Sequence, residues 1–481
     1  MLLGACAGPS AALPQRQGHV PGVFQGQAVL DALGKGGADE LLDTQWWTGF
    51  GDPVLNGLVE RAISSNFQIA AAAGRVQEAR ALLRLSQAQD DLLLELNSIA
   101  SAQKSDRHGS NRVGALSSNA SAGRQERSVL GGIGFALPID IAGRFDKEVE
   151  AATANLLVLQ AQLRSEVIAT STLVTQEYLR LRGNQRQLQM LRDSVALQEQ
   201  TLKVVQARFD AGLSPELDVQ RAKTSVENLR AGIPPLEKAL LDGRFRLATL
   251  TGRFADELEP TLLAVAPLPR YARNIPVSLP VQVLQHRPDV QEAQARFARA
   301  AADVGVAQAD FYPSVQWMAS MQIGSSASNG NPAVGLLIGS VSAMINQVLW
   351  DGGARQARLD AAKARAQVEL AVYEQTLREA IQSVEIALTA VSASMGRQAA
   401  LEKAVVSSKR SFEQAEALYQ LGLVSFLDVV DAQRVYANAE QTLAIEQTDF
   451  ASRVAMLFQA LGTQGSADGM KKGDPEIALK P

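Results

Sequence analysis

Asp428, Asp431 and Arg434 carry the most evident chemistry of this 481-residue chain: two carboxylates and a guanidinium spaced by threes, which fall along one stripe if the segment is helical. Asp218 and Arg221 show the same acid-to-base step earlier in the chain. Arrayed about a symmetry axis, one inward carboxylate per subunit makes a ring, and such rings select cations and bind hydrated metal ions. The plainer reading is a solvated pair within one helix, worth roughly a few tenths of a kcal/mol. Spacing alone leaves both open.

Other chemistry is scarce. The sequence holds no nucleophile and base pairing, phosphate loop or metal-ligand spacing, so the chain reads as non-enzymatic, with no cofactor and no resident metal. Its single cysteine, Cys6, excludes an internal disulfide and a cysteine metal cluster, and His19, His108 and His286 are scattered. His286 precedes Arg287-Pro288 at a helix start and reads as a surface residue. Met318, Met321 and Met344 read as strand packing rather than soft-metal ligands. A net charge of -4 without polarised blocks argues against nucleic acid, which needs clustered Lys and Arg.

The elements that must position the stripe are written twice. Shifting residues 139 to 252 by 210 places Gly212-Leu213 over Gly422-Leu423, Leu217-Asp218-Val219 over Leu427-Asp428-Val429, and Gly252 over Gly462. Further upstream the shift becomes 221, laying Arg75, Ala79 and Ala88 over Arg296, Ala300 and Ala309. Such a change of offset means that one connecting loop differs in length within a duplicated half-molecule. The division that follows is an N-terminal arm at 1–45, a first repeat at 46–252, a linker at 253–277, a second repeat at 278–463 and a tail at 464–481.

Within each copy the composition is that of long helices: 46% hydrophobic residues, mostly Ala, Leu and Val, and only 5% aromatic. Asp52 can cap a helix that begins at Pro53 and is expected to run some forty residues. Leu188, Leu191, Val195, Leu202, Val205 and Phe209 step by threes and fours with Gln198 in the seam, and Leu401, Val405, Ser408, Phe412, Ala415 and Tyr419 repeat the pattern. A sustained period of 3.5 predicts coiled coils, with rods on the order of 100 Å from nearly seventy residues at ~1.5 Å each. Each rod ends at a glycine, Gly212 or Gly422, followed by a return helix, the first one bent at Pro234-Pro235. The tips, Ala211 to Ser214 and Leu421 to Ser425, are short glycine turns.

Between the helices the period changes to two. Val315, Trp317, Met321 and Ile323 hold odd positions with mainly polar residues between, and Val129, Ile133, Phe135, Leu137 and Ile139 alternate with Gly132, Gly134 and Ala136. Phe311 through Trp350 is a run of forty residues without a charge. A transmembrane helix fails there on period and on the Gly-Ser-Asn-Pro cluster from Gly324 to Pro332; two strands joined by a polar turn fit, and their uncharged apolar face points at lipid. Residues 94 to 104 and 128 to 139 predict the matching hairpin, with a longer polar loop holding Asp106, Arg107, His108 and Arg112. Four strands cannot close a barrel, and an open edge in lipid leaves backbone groups unsatisfied, so the chain must be an oligomer. Two copies would give eight strands and a filled barrel; a pore prefers three copies and twelve.

These residues also carry a family resemblance. Ile275-Pro276-Val277-Ser278-Leu279-Pro280, His286-Arg287-Pro288-Asp289-Val290 and Ala309-Asp310-Phe311-Tyr312-Pro313 resemble the segment opening the second half of the outer-membrane factor family, TolC-like, in its lipoprotein branch. Trp46-Trp47 to Asp52-Pro53, Gly212-Leu213 with Leu217-Asp218-Val219, and Leu427-Asp428-Val429-Val430-Asp431-Ala432-Gln433-Arg434 are similar to further family motifs in the same order. The resemblance covers roughly residues 46 to 463. It implies a mixed α and β membrane protein: a homotrimer whose 12-stranded outer-membrane β-barrel, four strands per chain, continues as a long α-helical coiled-coil barrel in the periplasm. It implies the exit channel of a tripartite efflux pump, partnered by a periplasmic adaptor and an inner-membrane transporter of the RND type. A type I secretion channel is the alternative within that architecture, and a pore-less periplasmic adaptor is the alternative from another class.

The same resemblance implies a gate at Asp428, Asp431 and Arg434, with Asp218 and Arg221, and adaptor docking at the tips Gly212, Leu213, Ser214 and Gly422, Leu423, Val424, Ser425. Leu3-Gly4-Ala5-Cys6-Ala7 resembles a lipobox, implying a lipid on Cys6 and sorting to the outer membrane. The basic and apolar stretches of a secretory signal do not precede it, which leaves a shortened start or a chance match.

Overall fold

The computed structural model describes residues 45–89, 91–105, 124–257, 262, 264–272, 284–328 and 332–463. Cys6 and the arm up to residue 44, His19, the loop with Asp106, Arg107, His108 and Arg112, the motif at 275–280 and the tail at 464–481 lie outside the described residues. The elements in order are α1 (Pro53–Ser65), α2 (Phe67–Gln87), β1 (Leu93–Ser105), β2 (Arg124–Ile139), α3 (Arg144–Asp210), α4 (Glu216–Ala231), α5 (Ile233–Leu250), α6 (Pro288–Ala309), β3 (Ser314–Ser328), β4 (Val334–Asn346), α7 (Ala354–Gln420) and α8 (Phe426–Leu461). The duplication is visible at once: α3 and α7 are both 67 residues long, and the 210-residue shift superposes both of their ends. The uncharged run holds β3 and β4, and no described helix is long and apolar enough to cross a membrane.

The chain divides into two compact units, the first made of Glu78–Leu156 and Ala295–Ala371. It contains one antiparallel sheet in the order β1-β2-β3-β4. The pairing register turns four alternating sequences into two continuous faces. Leu96, Ile133, Met321 and Gly339 share one row, and Leu94, Phe135, Ala319 and Val341 another, on the apolar face. The opposite face carries Ser101 opposite Ser128, with hydroxyls 2.8 Å apart, and Ser320 opposite Ser340, 2.9 Å apart. Met318 and Met344 lie on this polar face and Met321 on the apolar one. Both hairpins appear where the period predicts them, the first slightly longer than expected at 93–105 and 124–139. The edge strands β1 and β4 have no further strand beside them among the described residues.

The second unit holds Leu157–Gln294 and Val372 onward, together with the segment before residue 78. Its main core packs Trp46, Trp47, Leu55 and Leu58 with Tyr178, Leu247, Val384, Val454 and Phe458, and the Trp46 and Phe458 rings stack at 5.1 Å. Asp52 caps α1 as predicted, accepting from the Val54 and Leu55 N–H groups. Its other oxygen accepts from Tyr178 Oη at 2.5 Å, and Arg182 Nε donates to that same hydroxyl at 3.0 Å. Burial, and then the bond to Asp52, push the Tyr178 hydroxyl well above its ordinary range, so it remains a donor.

Two expectations about the helices are corrected. The forty-residue first helix is two helices broken at Asn66, whose amide donates to the Leu250 carbonyl at 3.0 Å while its carbonyl oxygen caps α2 through Gln68 N–H at 2.8 Å. Under the 221-residue shift, Asn66 stands over Arg287, and α2 is the counterpart of α6. Arg287 fastens the second junction instead. Its buried guanidinium donates to Ser383 Oγ, to the Ala380 and Ala460 carbonyls and to both Asp289 oxygens. The first return segment is likewise two helices, α4 and α5, parted at Gly232, with Pro234 and Pro235 in the opening turn of α5, where missing N–H groups cost nothing. The second return helix, α8, is an unbroken 36 residues.

Candidate functional site

The rods end in two turns of the same construction. At the first, Gly212 takes φ 74°, its N–H donates to the Phe209 carbonyl and the Leu213 N–H to the Arg208 carbonyl, both at 2.8 Å. At the second, Gly422 takes φ 75°, with Gly422 N–H to Tyr419 and Leu423 N–H to Leu418, both at 2.9 Å. This is the glycine-terminated helix end in which a left-handed residue satisfies the last carbonyls. The next leucine points into solvent in both: Leu213 and Leu423 are each 69% exposed. Leu217, Leu421 and Leu427 are exposed beside them.

A small core holds the tips together. Val205 of α3, Val219 and Ala222 of α4, Phe412 and Tyr419 of α7, and Phe426 and Val429 of α8 pack as one cluster. The predicted seam is largely as read, with Leu188, Val195, Val205, Phe412 and Tyr419 buried and the polar seam members Gln198 and Ser408 buried too. Phe209 departs from it: the seam ends one turn early and this ring is exposed. Its place is taken by Arg208, whose guanidinium lies 4.6 Å from the Tyr419 ring centre and donates to the Tyr419 carbonyl at 3.1 Å. Arg208 thereby ties the end of α3 to the end of α7, a role no sequence period reveals.

The charged stripe is divided among three tasks. Asp428 sits in the first turn of α8, where one carboxylate oxygen accepts from the Ser425 hydroxyl at 2.7 Å and the Ser425 N–H at 2.9 Å. Those two bonds hold its pKa below the usual carboxylate range. Asp431 pairs with Arg434 at 2.6 Å, with the side chains 61% and 74% exposed. Asp218 pairs with Arg221 at 3.6 Å, but Asp218 is only 15% exposed. By the 210-residue register, Asp218 stands over Asp428 and Arg221 over Asp431, so the two ion pairs repeat a spacing and not a position. Arg221 and Arg434 nevertheless meet on one feature. Both line a cleft of about 880 Å³ between α4 and α8, with Gln198, Leu217, Leu427, Tyr436 and Glu440. Tyr436 donates to Glu440 at 2.6 Å and stacks on Phe412, and burial together with the glutamate pushes its hydroxyl up to about 12.

The sequence profile of the outer membrane efflux protein family matches residues 58–253 and 279–463, one segment for each copy of the repeat. The chain belongs to this family. Nodulation protein T of Rhizobium leguminosarum bv. trifolii is 27% identical over 465 residues, covering 96% of this chain and 95% of that protein. The cation efflux system protein CusC of Escherichia coli K12 is 28% identical over 433 residues, 88% of this chain and 90% of that protein. Among solved structures, the outer-membrane channel OprN superposes with a TM-score of 0.83 at 26% identity, covering 94% of this chain and 99% of that one.

An outer membrane efflux protein is a channel rather than a catalyst, and the described residues contain no group of His, Cys, Asp and Glu able to hold a metal ion. His286 is exposed, as its place before the α6 start predicts. One further charged cluster escaped sequence reasoning. Glu446 of α8 is buried at 1% exposure and is held by the Ser394 hydroxyl, by Arg453 at 3.0 Å and by Arg397 at 3.2 Å. Glu177 of α3 plays the matching part in the first copy, with Arg246 at 2.8 Å and Arg180 at 3.2 Å. Each long helix is thus keyed to its return helix by a carboxylate between two arginines, which fixes axial register where a coiled-coil seam alone would allow slippage.

Proposed function

We propose that three copies of this chain close their sheets into a single 12-stranded barrel in the outer membrane, and that the assembly is the exit duct of a tripartite efflux pump. The observation that carries this is the sheet: its register puts most of the large apolar residues on one face and most of the Ser, Gln and Asn residues on the other, and leaves β1 and β4 without a further strand beside them among the described residues. In lipid an unpaired edge costs several kcal/mol per backbone group. An even number of antiparallel strands lets β4 of one chain continue onto β1 of the next with the same alternation of direction. Twelve strands leave a water-filled lumen where eight would fill with side chains.

The cargo passes from an RND-type inner-membrane transporter and a periplasmic adaptor. The twin tips, with Leu213 and Leu423 presented to solvent on rigid glycine turns, are the surfaces for the adaptor. Asp431 and Arg434, with Asp218 and Arg221, line the route at the closed end, and Asp428 supports them by capping α8. A lipid on Cys6 adds a membrane anchor. The name of the CusC relative, a cation efflux system protein, favours small cargo over secreted protein.

Planar-bilayer recording of detergent-extracted protein tests the duct, and a deletion strain tests the cargo. Step-like ionic currents and increased susceptibility to toxic small molecules are expected. A strain with normal susceptibility that fails to export a protein would transfer the assignment to type I secretion. A protein that stays in solution without detergent and carries no current would favour the pore-less adaptor.

A further inference from the structure

We propose that Glu95 is a charge filter inside the barrel, making the duct favour cationic over anionic cargo; the inference rests on the trimeric-pore reading above. Glu95 is the third residue of β1 and pairs with Gly134, which pairs with Ser320, which pairs with Ser340. That row belongs to the polar face, the one that must line the lumen when the apolar face meets lipid.

Its depth follows from the strands. Ser320 is six residues from the start of β3 at Ser314 and eight from its end at Ser328. At ~3.3 Å per residue the Ser320 end of this row lies roughly 20 Å along β3, while Glu95 itself is two residues into β1, roughly 7 Å along its own strand from the helix end of the sheet. An ionisable side chain at membrane depth is costly unless it faces water, and in this position it is a functional group by default.

Nothing nearby neutralises it. Glu95 is exposed and has no ion pair among the described residues. Its same-face neighbours on β2 are Gly132, Gly134 and Ala136, too small to shield the carboxylate. The other charged residues of the four strands, Lys104, Arg124, Glu126 and Arg127, sit at the opposite, loop end of the first hairpin. On its open side β1 must receive β4 of a sister chain. The run from Phe311 to Trp350 contains no charge, so that strand brings no counter-ion whatever register it adopts. Three uncompensated carboxylates at one level of a polar wall form the kind of acidic ring that selects cations.

The reversal potential of the reconstituted channel under a KCl gradient tests this. The unmodified channel should prefer potassium over chloride; Glu95→Gln should lower the permeability ratio several-fold, and Glu95→Lys should invert it. Ser320→Glu, which adds a second carboxylate to the same row, should raise the ratio. The effects should shrink toward 1 M salt, where the screening length falls to about 3 Å. An open Glu95→Gln channel with the unmodified ratio would overturn the proposal and place selectivity elsewhere, with the Asp431 and Asp218 region the next to test. Absence of current from every form, the unmodified one included, would instead overturn the pore reading on which it rests.

Discussion

The first tip and the second tip share a backbone and divide its chemistry. Their glycines differ by one degree in φ and their leucines are equally exposed, yet Ser425 at the start of α8 stands over Pro215 at the start of α4. Proline has no N–H and no hydroxyl to offer. The acid three residues on therefore caps its own helix in the second copy, as Asp428, and turns to Arg221 in the first, as Asp218. The arginine that partners an exposed acid in the second copy, Arg434, stands one turn further on, over Thr224. Duplication preserved the turn because backbone geometry demands it; the side chains beyond were free to diverge, and so only one tip has its first acid committed to a cap.

Three pairs of substitutions sharpen or break this contrast. The largest stability effect should come from the shared feature: Gly212→Val and Gly422→Val each force a branched side chain into the left-handed region, costing about 1–2 kcal/mol apiece. No atom beyond the glycine and its two chain neighbours lies within 4 Å of the added Cβ at either site, so equal losses in thermal unfolding are expected, and unequal ones would mean that the tips are not equivalent. Co-purification of the adaptor should be lost in both.

Next, Asp428→Ala should destabilise and Asp218→Ala should do so less. The Asp428 pKa is depressed in the folded protein, so its contribution is present above the ordinary carboxylate range and disappears as pH falls through the lower folded value. Thermal melts of Asp428→Ala and the unmodified protein should therefore differ near neutral pH and converge well into acid. A gap that persists in acid would refute the capping role.

Smallest in stability is Arg434→Ala, an exposed pair worth roughly a few tenths of a kcal/mol. In bilayers it should nonetheless enlarge the resting conductance, as should Asp431→Ala. Unchanged conductance in both would leave a solvated ion pair and no gate.

Much of this was legible because it is periodic. Alternation by two located β3 and β4, a seam at 3.5 located α3 and α7, and glycines located the tips. What stayed hidden depends on partners far along the chain. Asn66 breaks a stretch of good helix formers by bonding the carbonyl of Leu250, 184 residues away. Phe209 fits the seam by spacing, but the helix end it occupies is closed by Arg208 against Tyr419. Glu446 looks like any surface acid until α7 brings Ser394 and Arg397 to it. Reading Asp218 with Arg221 as a copy of the second pair matched a spacing of three and overlooked that the register sets an arginine over an aspartate.

The incomplete sheet is the feature on which the account stands, and native mass spectrometry of the detergent-extracted particle tests it most directly. A species of three chains, stable until the sheet itself melts, is the expected result. A folded monomer with β1 and β4 unpaired, or a two-chain particle, would contradict the twelve-stranded pore.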